Sequence, residues 1–390
     1  MKDNTYLVHG GRQPSRQHGM VNPPVYHAST VLFPSVAALE AAEKNPFEGV
    51  YYGRFGTPLH FEFERAIADL EHAAGAVSVC SGLAAISVAL LAVVKAGDRV
   101  LVADNVYAPT RKLCDGLLAR MGVSTVYFDP CEPDDLTRLL ESGAAAVFLE
   151  SPGSLTFEMT DIPALAATAR AAGAAVLMDN TWATPIGFRA IDAGVDISIH
   201  SATKYIVGHA DAMLGVLACG DRWFDPVRRC ARQLGYCAGP DDVYLGLRGL
   251  RTLSTRLDRH AHNADRLCAW LDAQPEVAAI RYPAWPSDPG YALWRRDFER
   301  ASGLFAILLQ PGSEPGIAPM LDDLSLFGMG FSWGGYESLV LPVNPAGIRS
   351  ATRWDTRYPC LRIHAGLEDA DDLVADLDAG FDRLRRAIAG

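Results

Sequence analysis

Between residues 99 and 200 the chain repeats one unit, a short β-branched apolar run followed by a stretch with helical periodicity. The runs fall at 99–103, 123–128, 145–150, 174–179 and 196–200, with helical stretches such as 110–121 and 163–172 between them. Strands joined through helices cannot pair as hairpins. They must cross over, so the repeat predicts an α/β fold with a mostly parallel sheet covered on both faces. Ligands of such sheets bind beyond the carboxyl ends of the strands, and the residues that follow each run are therefore the ones to inspect. Two further helices, over 61–71 and 82–95, precede the repeat.

The flanks divide the chain. Residues 1–57, interrupted by Pro14, Pro23, Pro24, Pro34 and Pro46, read as an extended arm with one short helix over 36–44. Such an arm needs another surface to lie on. Residues 58–248 form the α/β domain. From 249 to 390 the rhythm changes to a long amphipathic helix (250–272), a Pro/Trp-rich linker (275–290), apolar runs at 304–309, 324–328 and 361–364, and a terminal helix over 369–388. That pattern predicts a smaller α+β domain.

Composition narrows the class. A formal charge of −11 argues against nonspecific binding to nucleic acid or anionic membranes. The longest apolar stretch, 83–94, is far below the roughly 20 residues that a membrane-spanning helix needs. No basic stretch and apolar run open the chain, so no signal peptide is expected. The eight cysteines contain no CxxC pair, which fits neither a zinc site nor a disulfide framework. They read as small core hydrophobes in a reducing cytoplasm, with no metal expected.

Lysine is scarce. The 35 basic residues include only Lys2, Lys44, Lys95, Lys112 and Lys204 as lysines. Arginine does not form imines, because its guanidinium stays protonated. Amine chemistry therefore has five candidates. Lys204 follows the run at 196–200 and is flanked by Ser201 and Thr203, while the preceding run ends on Asp179. The pair suits pyridoxal phosphate: the lysine binds the aldehyde, the carboxylate keeps the pyridine nitrogen protonated, and the hydroxyls hold phosphate. Alone, each piece is ordinary, since an Asp after a strand is commonly a helix cap and a lone Lys a solvated charge. The conjunction is the signal.

Other residues leave two readings open. Ser81, Gly82 and Leu83 open a helix, as a phosphate site or as a plain cap. Tyr107 stands at another strand end, to stack on a ring or to fill the core. Tyr52 and Arg54 lie in the arm, where Arg54 is either a phosphate ligand or a surface residue. Arg362 sits in an apolar run and needs an anion, which is either a substrate carboxylate or an internal Asp/Glu. Ser332 and Trp333 belong to a Gly-rich aromatic turn that is either a pocket wall or a surface hairpin. A nucleotide-binding or cofactor-free regulatory α/β protein is the reading of a different class; it predicts a Gly-rich dinucleotide fingerprint, but neither GxGxxG nor GxxxxGK[ST] occurs.

Together these motifs resemble the Cys/Met-metabolism pyridoxal-phosphate enzymes of aspartate-aminotransferase (fold type I) architecture. The likeness runs through Tyr52-Gly53-Arg54-Phe55-Gly56-Thr57, Phe148-Leu149-Glu150-Ser151-Pro152-Gly153, Met178-Asp179-Asn180-Thr181-Trp182, Ser201-Ala202-Thr203-Lys204-Tyr205, Phe331-Ser332-Trp333-Gly334-Gly335-Tyr336-Glu337 and Gly366-Leu367-Glu368-Asp369. The resemblance implies pyridoxal 5'-phosphate as cofactor, Lys204 as its Schiff-base lysine and Asp179 as the partner of the ring nitrogen. It implies that Tyr107 stacks on the ring and helps to activate the incoming amine. It further implies that Gly82, Leu83, Ser201 and Thr203 hold the phosphate and that Tyr52 and Arg54 reach it from a neighbouring subunit. Arg362, with Ser332 and Trp333, would bind an amino-acid substrate. The implied assembly is a homo-oligomer, a tetramer built from dimers. Trp333 and Tyr336 resemble the β-lyase branch, which eliminates homocysteine from L-cystathionine. Thr184 and Pro185 are closer to the γ-elimination and γ-replacement branch. Leu83 departs from the smaller residue of the β-lyase pattern.

Overall fold

The computed structural model describes residues 1–389. Seven strands form the larger sheet: β1 (Gly75–Val79), β2 (Arg99–Ala103), β3 (Ser124–Phe128), β4 (Ala146–Glu150), β5 (Ala175–Asp179), β6 (Ile197–His200) and β7 (Gly215–Cys219). Their order is β1-β7-β6-β5-β4-β2-β3. All neighbours are parallel except β7, which runs antiparallel to both β1 and β6. The sheet is buried on both faces. Along β7, Leu217 and Cys219 enter the core cluster that contains helix Gly82–Val93, while Val216 and Ala218 enter the one that contains helix Pro58–Glu71. This is period-two alternation between two apolar layers, and the α/β expectation is met.

The second sheet is antiparallel, in the order β10-β11-β9-β8, from β8 (Val277–Arg281), β9 (Leu304–Leu309), β10 (Leu339–Val343) and β11 (Cys360–His364). The long helix spans Leu253–Leu271 and the terminal one Ala370–Ala389. Several expectations need correction here. β8 lies inside the stretch read as a linker, because its Val277-Ala278-Ala279-Ile280 core is short and bounded by Pro275 and Pro283. The run at 324–328 forms no strand and contributes a single bridge, Gly328 to Leu339. The helix expected over 110–121 is present as one helical stretch over 108–120, with α-helix at Ala108–Leu113 widening to π-helix over Cys114–Leu118. Cys80 and Cys131 are exposed rather than packed in the core.

The arm does carry a helix at Val36–Lys44, and another at Asp3–His9. The first turns of the chain lie on their own body: Asp3 pairs with Arg189, and the Arg251 guanidinium donates to the carbonyls of Leu7 and Gly10 at 2.8 and 2.6 Å. Among the described residues no helix is long and apolar enough to cross a membrane.

Candidate active site

Parallel register puts the strand-end carboxylates side by side. Asp179 is the register partner of Glu150 on one side and of Ile199 on the other, so Glu150, Asp179 and the segment after β6 open on one edge of the sheet. The chain leaves β6 through Ser201, Thr203 and Lys204 and returns as β7. Thr203 fastens this turn, because its N–H donates to the Leu214 carbonyl at 3.0 Å and its hydroxyl accepts from the Leu214 N–H at 2.9 Å. The Thr203 hydroxyl also donates to that carbonyl at 3.2 Å, and holding a phosphate would take that proton away from it.

Lys204 Nζ donates to Ser332 Oγ at 2.5 Å and lies 5.2 Å from the Trp333 ring centroid. The Gly-rich turn is thus a pocket wall, not a surface hairpin. Burial, together with the Arg362 guanidinium, lowers the Lys204 amine to about 8, against an opposing pull from Asp179. Burial raises the Asp179 carboxyl although the Thr181 N–H and hydroxyl donate to its Oδ1 at 3.0 and 2.5 Å. The same Thr181 oxygen accepts the Ser201 N–H at 2.8 Å and so ties the carboxylate to the lysine turn. Glu150 is raised well above the usual range by burial and by Asp179, and its Oε2 accepts the Tyr107 N–H at 2.7 Å. Tyr107 is 44% exposed, which suits a face open to a ligand better than a core residue. Burial, then the charges of Asp179 and Glu150, raises its phenol.

The Ser81 hydroxyl caps the helix at the Ala84 N–H, 3.1 Å away. That leaves the N–H groups of Gly82 and Leu83 in its first turn, where no intrahelical acceptor exists. A methyl at Gly82 would lie 2.5 Å from Ser201 Oγ and 3.0 Å from its Cα, so only glycine lets this helix end close against the lysine segment. Arg362 reaches the same pocket from β11, donating to the Ser332 carbonyl at 3.0 Å. Among the described residues it pairs with no carboxylate, so the internal ion pair left open by the sequence does not form.

Tyr52 and Arg54 are not brought to Lys204 within the chain. Tyr52 accepts from Ser29 Oγ at 3.2 Å; Arg54 donates to the Arg232 carbonyl at 2.5 Å and stands 4.9 Å from the Phe55 ring centroid. Three participants escaped the sequence reading. Glu150 ends its strand as Asp179 does and was open to the same argument. Thr181 and His364 had no local signal, since their partners are remote in the chain.

The set fits a phosphate-bearing pyridine aldehyde. A buried carboxylate under strain gains from a cationic ring nitrogen, a largely buried amine is poised to lose its proton, and the Gly82–Ser201 contact shapes an N–H-lined cup for an anion.

Comparison with known proteins agrees with this chemistry. The family model for Cys/Met metabolism PLP-dependent enzymes matches residues 4–382. The cystathionine beta-lyase MetC of Escherichia coli (strain K12) is 42% identical over 98% of this chain and 99% of its own length. The cystathionine beta-lyase of Salmonella typhimurium is 40% identical over 98% of each chain. A solved structure of cystathionine gamma synthase from Xanthomonas oryzae pv. oryzae, in complex with aminoacrylate and cysteine, matches with a TM-score of 0.91 at 30% identity, covering 99% of each chain. The chain therefore belongs to the Cys/Met-metabolism PLP-dependent enzymes, a family whose cofactor is pyridoxal phosphate.

Proposed function

We propose that this protein is a carbon–sulfur lyase that cleaves L-cystathionine, or a closely related thioether amino acid, by β-elimination to homocysteine, pyruvate and ammonia. The observation that carries the reading is the meeting of Lys204, Asp179 and an Arg362 without a carboxylate partner around one pocket, in a chain whose full-length relatives include β-lyases.

In this reading Gly82, Leu83, Ser201 and Thr203 hold the cofactor phosphate, and Asp179 faces the ring nitrogen. Pyridoxal phosphate, when bound, supplies the aldehyde that takes the substrate amine and a ring that stabilises negative charge at Cα. Arg362 anchors the substrate carboxylate, with Ser332 and Trp333 closing the wall behind it. The Lys204 amine, with its affinity for protons already reduced, removes the Cα proton. Tyr107 covers the ring and helps to deprotonate the incoming amine. Tyr52 and Arg54 complete the phosphate site of a neighbouring copy, which accounts for their position away from Lys204 in their own chain. The arm (1–57), the cofactor domain (58–248) and the smaller domain (249–390) divide this work. The assembly is a tetramer built from two dimers in the cytoplasm, where eight unpaired thiols suit reducing conditions.

The backbone shared with a γ-synthase supports γ-cleavage as the second reading. Incubation with L-cystathionine separates the two. Pyruvate with homocysteine is expected; 2-oxobutyrate with cysteine would assign the protein to the γ-branch. Lys204→Ala should abolish turnover while the protein still folds, and residual activity within about tenfold of wild type would remove the lysine from this role.

A further inference from the structure

Alternate residues of β11 point to the same side of the sheet. Leu361 and Ile363 are fully buried in the core, whereas Arg362 and His364 both reach the Ser332–Glu337 loop. Arg362 donates to the Ser332 carbonyl. His364 makes two bonds: Nε2 lies 3.0 Å from the Gly334 nitrogen and Nδ1 3.1 Å from the Glu337 carbonyl oxygen. A backbone N–H only donates and a carbonyl only accepts, so the tautomer is set, with the proton on Nδ1 and a bare Nε2.

The loop needs such a hold. Ser332 has φ 81°, a left-handed conformation unfavourable for a residue with a side chain, and Gly334 has φ 82°. A methyl at Gly334 would stand 2.9 Å from the Tyr205 nitrogen and 3.0 Å from the Lys204 carbonyl carbon. The loop therefore rests directly on the lysine's own peptide, while the Ser332 hydroxyl accepts from Lys204 Nζ. We infer that His364 is a positioning residue that latches the Ser332–Glu337 loop to β11, keeping the Ser332 hydroxyl on Lys204 and the Ser332 carbonyl on Arg362. The inference rests on the reading of this pocket as the active site. Burial, the His260 ring with its centroid 5.1 Å away, Arg362 and Lys204 all oppose a proton on His364 and hold it well below its ordinary range. Nε2 thus keeps its lone pair for Gly334.

The test uses His364→Leu, which removes both bonds, and His364→Gln, whose amide can restore an acceptor for Gly334 and a donor for Glu337. Hydrogen exchange by mass spectrometry is read on the cofactor-loaded and cofactor-free proteins, alongside kcat and KM for L-cystathionine. An orphaned backbone donor and acceptor should accelerate exchange in peptide 331–338 of His364→Leu by about tenfold or more, with strands β5 and β9 unchanged. KM should rise by about tenfold with a smaller fall in kcat, and His364→Gln should return both readouts to within about threefold of wild type. Should His364→Leu not fold, His364→Asn, which keeps a donor for Glu337 but is too short to reach Gly334, replaces it with the same expected loop exchange. A folded His364→Leu with wild-type exchange at 331–338 or wild-type KM would overturn the inference, and so would a His364→Gln no better than His364→Leu. Failure of the active-site reading itself shows differently, as full activity in Lys204→Ala.

Discussion

Replacing Arg362 by methionine separates a substrate ligand from a structural cation, because the two roles move stability and activity in opposite ways. Arg362 is partly buried, its guanidinium is less basic than usual because of that burial, and its one hydrogen bond is to the Ser332 carbonyl. Were it half of an internal ion pair, removing it would strand a buried carboxylate and destabilise the fold by about 3–5 kcal/mol. No such carboxylate faces it among the described residues. Methionine has a similar reach and is apolar, so it should lose one hydrogen bond of about 1 kcal/mol and gain a comparable amount by removing a poorly solvated charge. The unfolding free energy from urea titration should therefore stay within about 1 kcal/mol of wild type, or rise. Turnover should respond otherwise. Losing a charge-assisted contact to the substrate carboxylate costs about 3 kcal/mol, equivalent to roughly 150-fold in kcat/KM. Urea titration and steady-state pyruvate release measure the two quantities on the same preparation. A variant that is strongly destabilised yet, where folded, turns over normally would refute the assignment.

Three further outcomes follow from the pocket and its support. Below about 8 the rate at which cofactor-free protein captures pyridoxal phosphate should climb roughly tenfold per pH unit, then level off, because only the uncharged Lys204 amine attacks the aldehyde; a rate still climbing through pH 10 would show an ordinary lysine. Gly82→Ala should raise the dissociation constant for pyridoxal phosphate by about tenfold, measured by equilibrium titration, because the new methyl displaces Ser201 from the phosphate cup; unchanged affinity would remove this helix end from the site. Glu71 is fully buried, accepts from Asn180 Nδ2, Ser198 Oγ and the Ala190 N–H, and pairs with His200 at 2.7 Å. Glu71→Gln should lower stability by about 3 kcal/mol in urea denaturation, and a loss below about 1 kcal/mol would mean that the network tolerates a neutral partner.

The fold was readable where local pattern and global position agree. Strands β2 to β6 begin and end within a residue or so of their apolar runs, since a strand buried on both faces needs an unbroken apolar stretch. β7, β8 and β10 went unnoticed because β7 follows β6 with no helix between them, β8 is short and bounded by Pro275 and Pro283, and Pro342 interrupts the apolar pattern of β10. Lys204 and Asp179 were readable because the chemistry demands those residue types at strand ends. The partner of Arg362 was not. Whether an internal carboxylate meets an arginine depends on how two sheets pack, and here the contact is a backbone carbonyl 30 residues away. His364 was hidden for the same reason, its bonds being to peptide groups rather than to side chains.

The reversed direction of β7 has a consequence for the lysine. Because β6 ends and β7 begins at one edge of the sheet, with His200 opposite Val216, the amine is mounted at the bend of a hairpin and anchored by two strands. The far leg is wedged as well, since a methyl at Gly215 would stand 2.1 Å from the Ser81 carbonyl oxygen. Between β2 and β5 a connecting helix can absorb an extra residue without disturbing the strand end. Here the lysine itself stands only four residues beyond the end of β6, and an insertion between 200 and 204 would change the height of the nucleophile above the cleft.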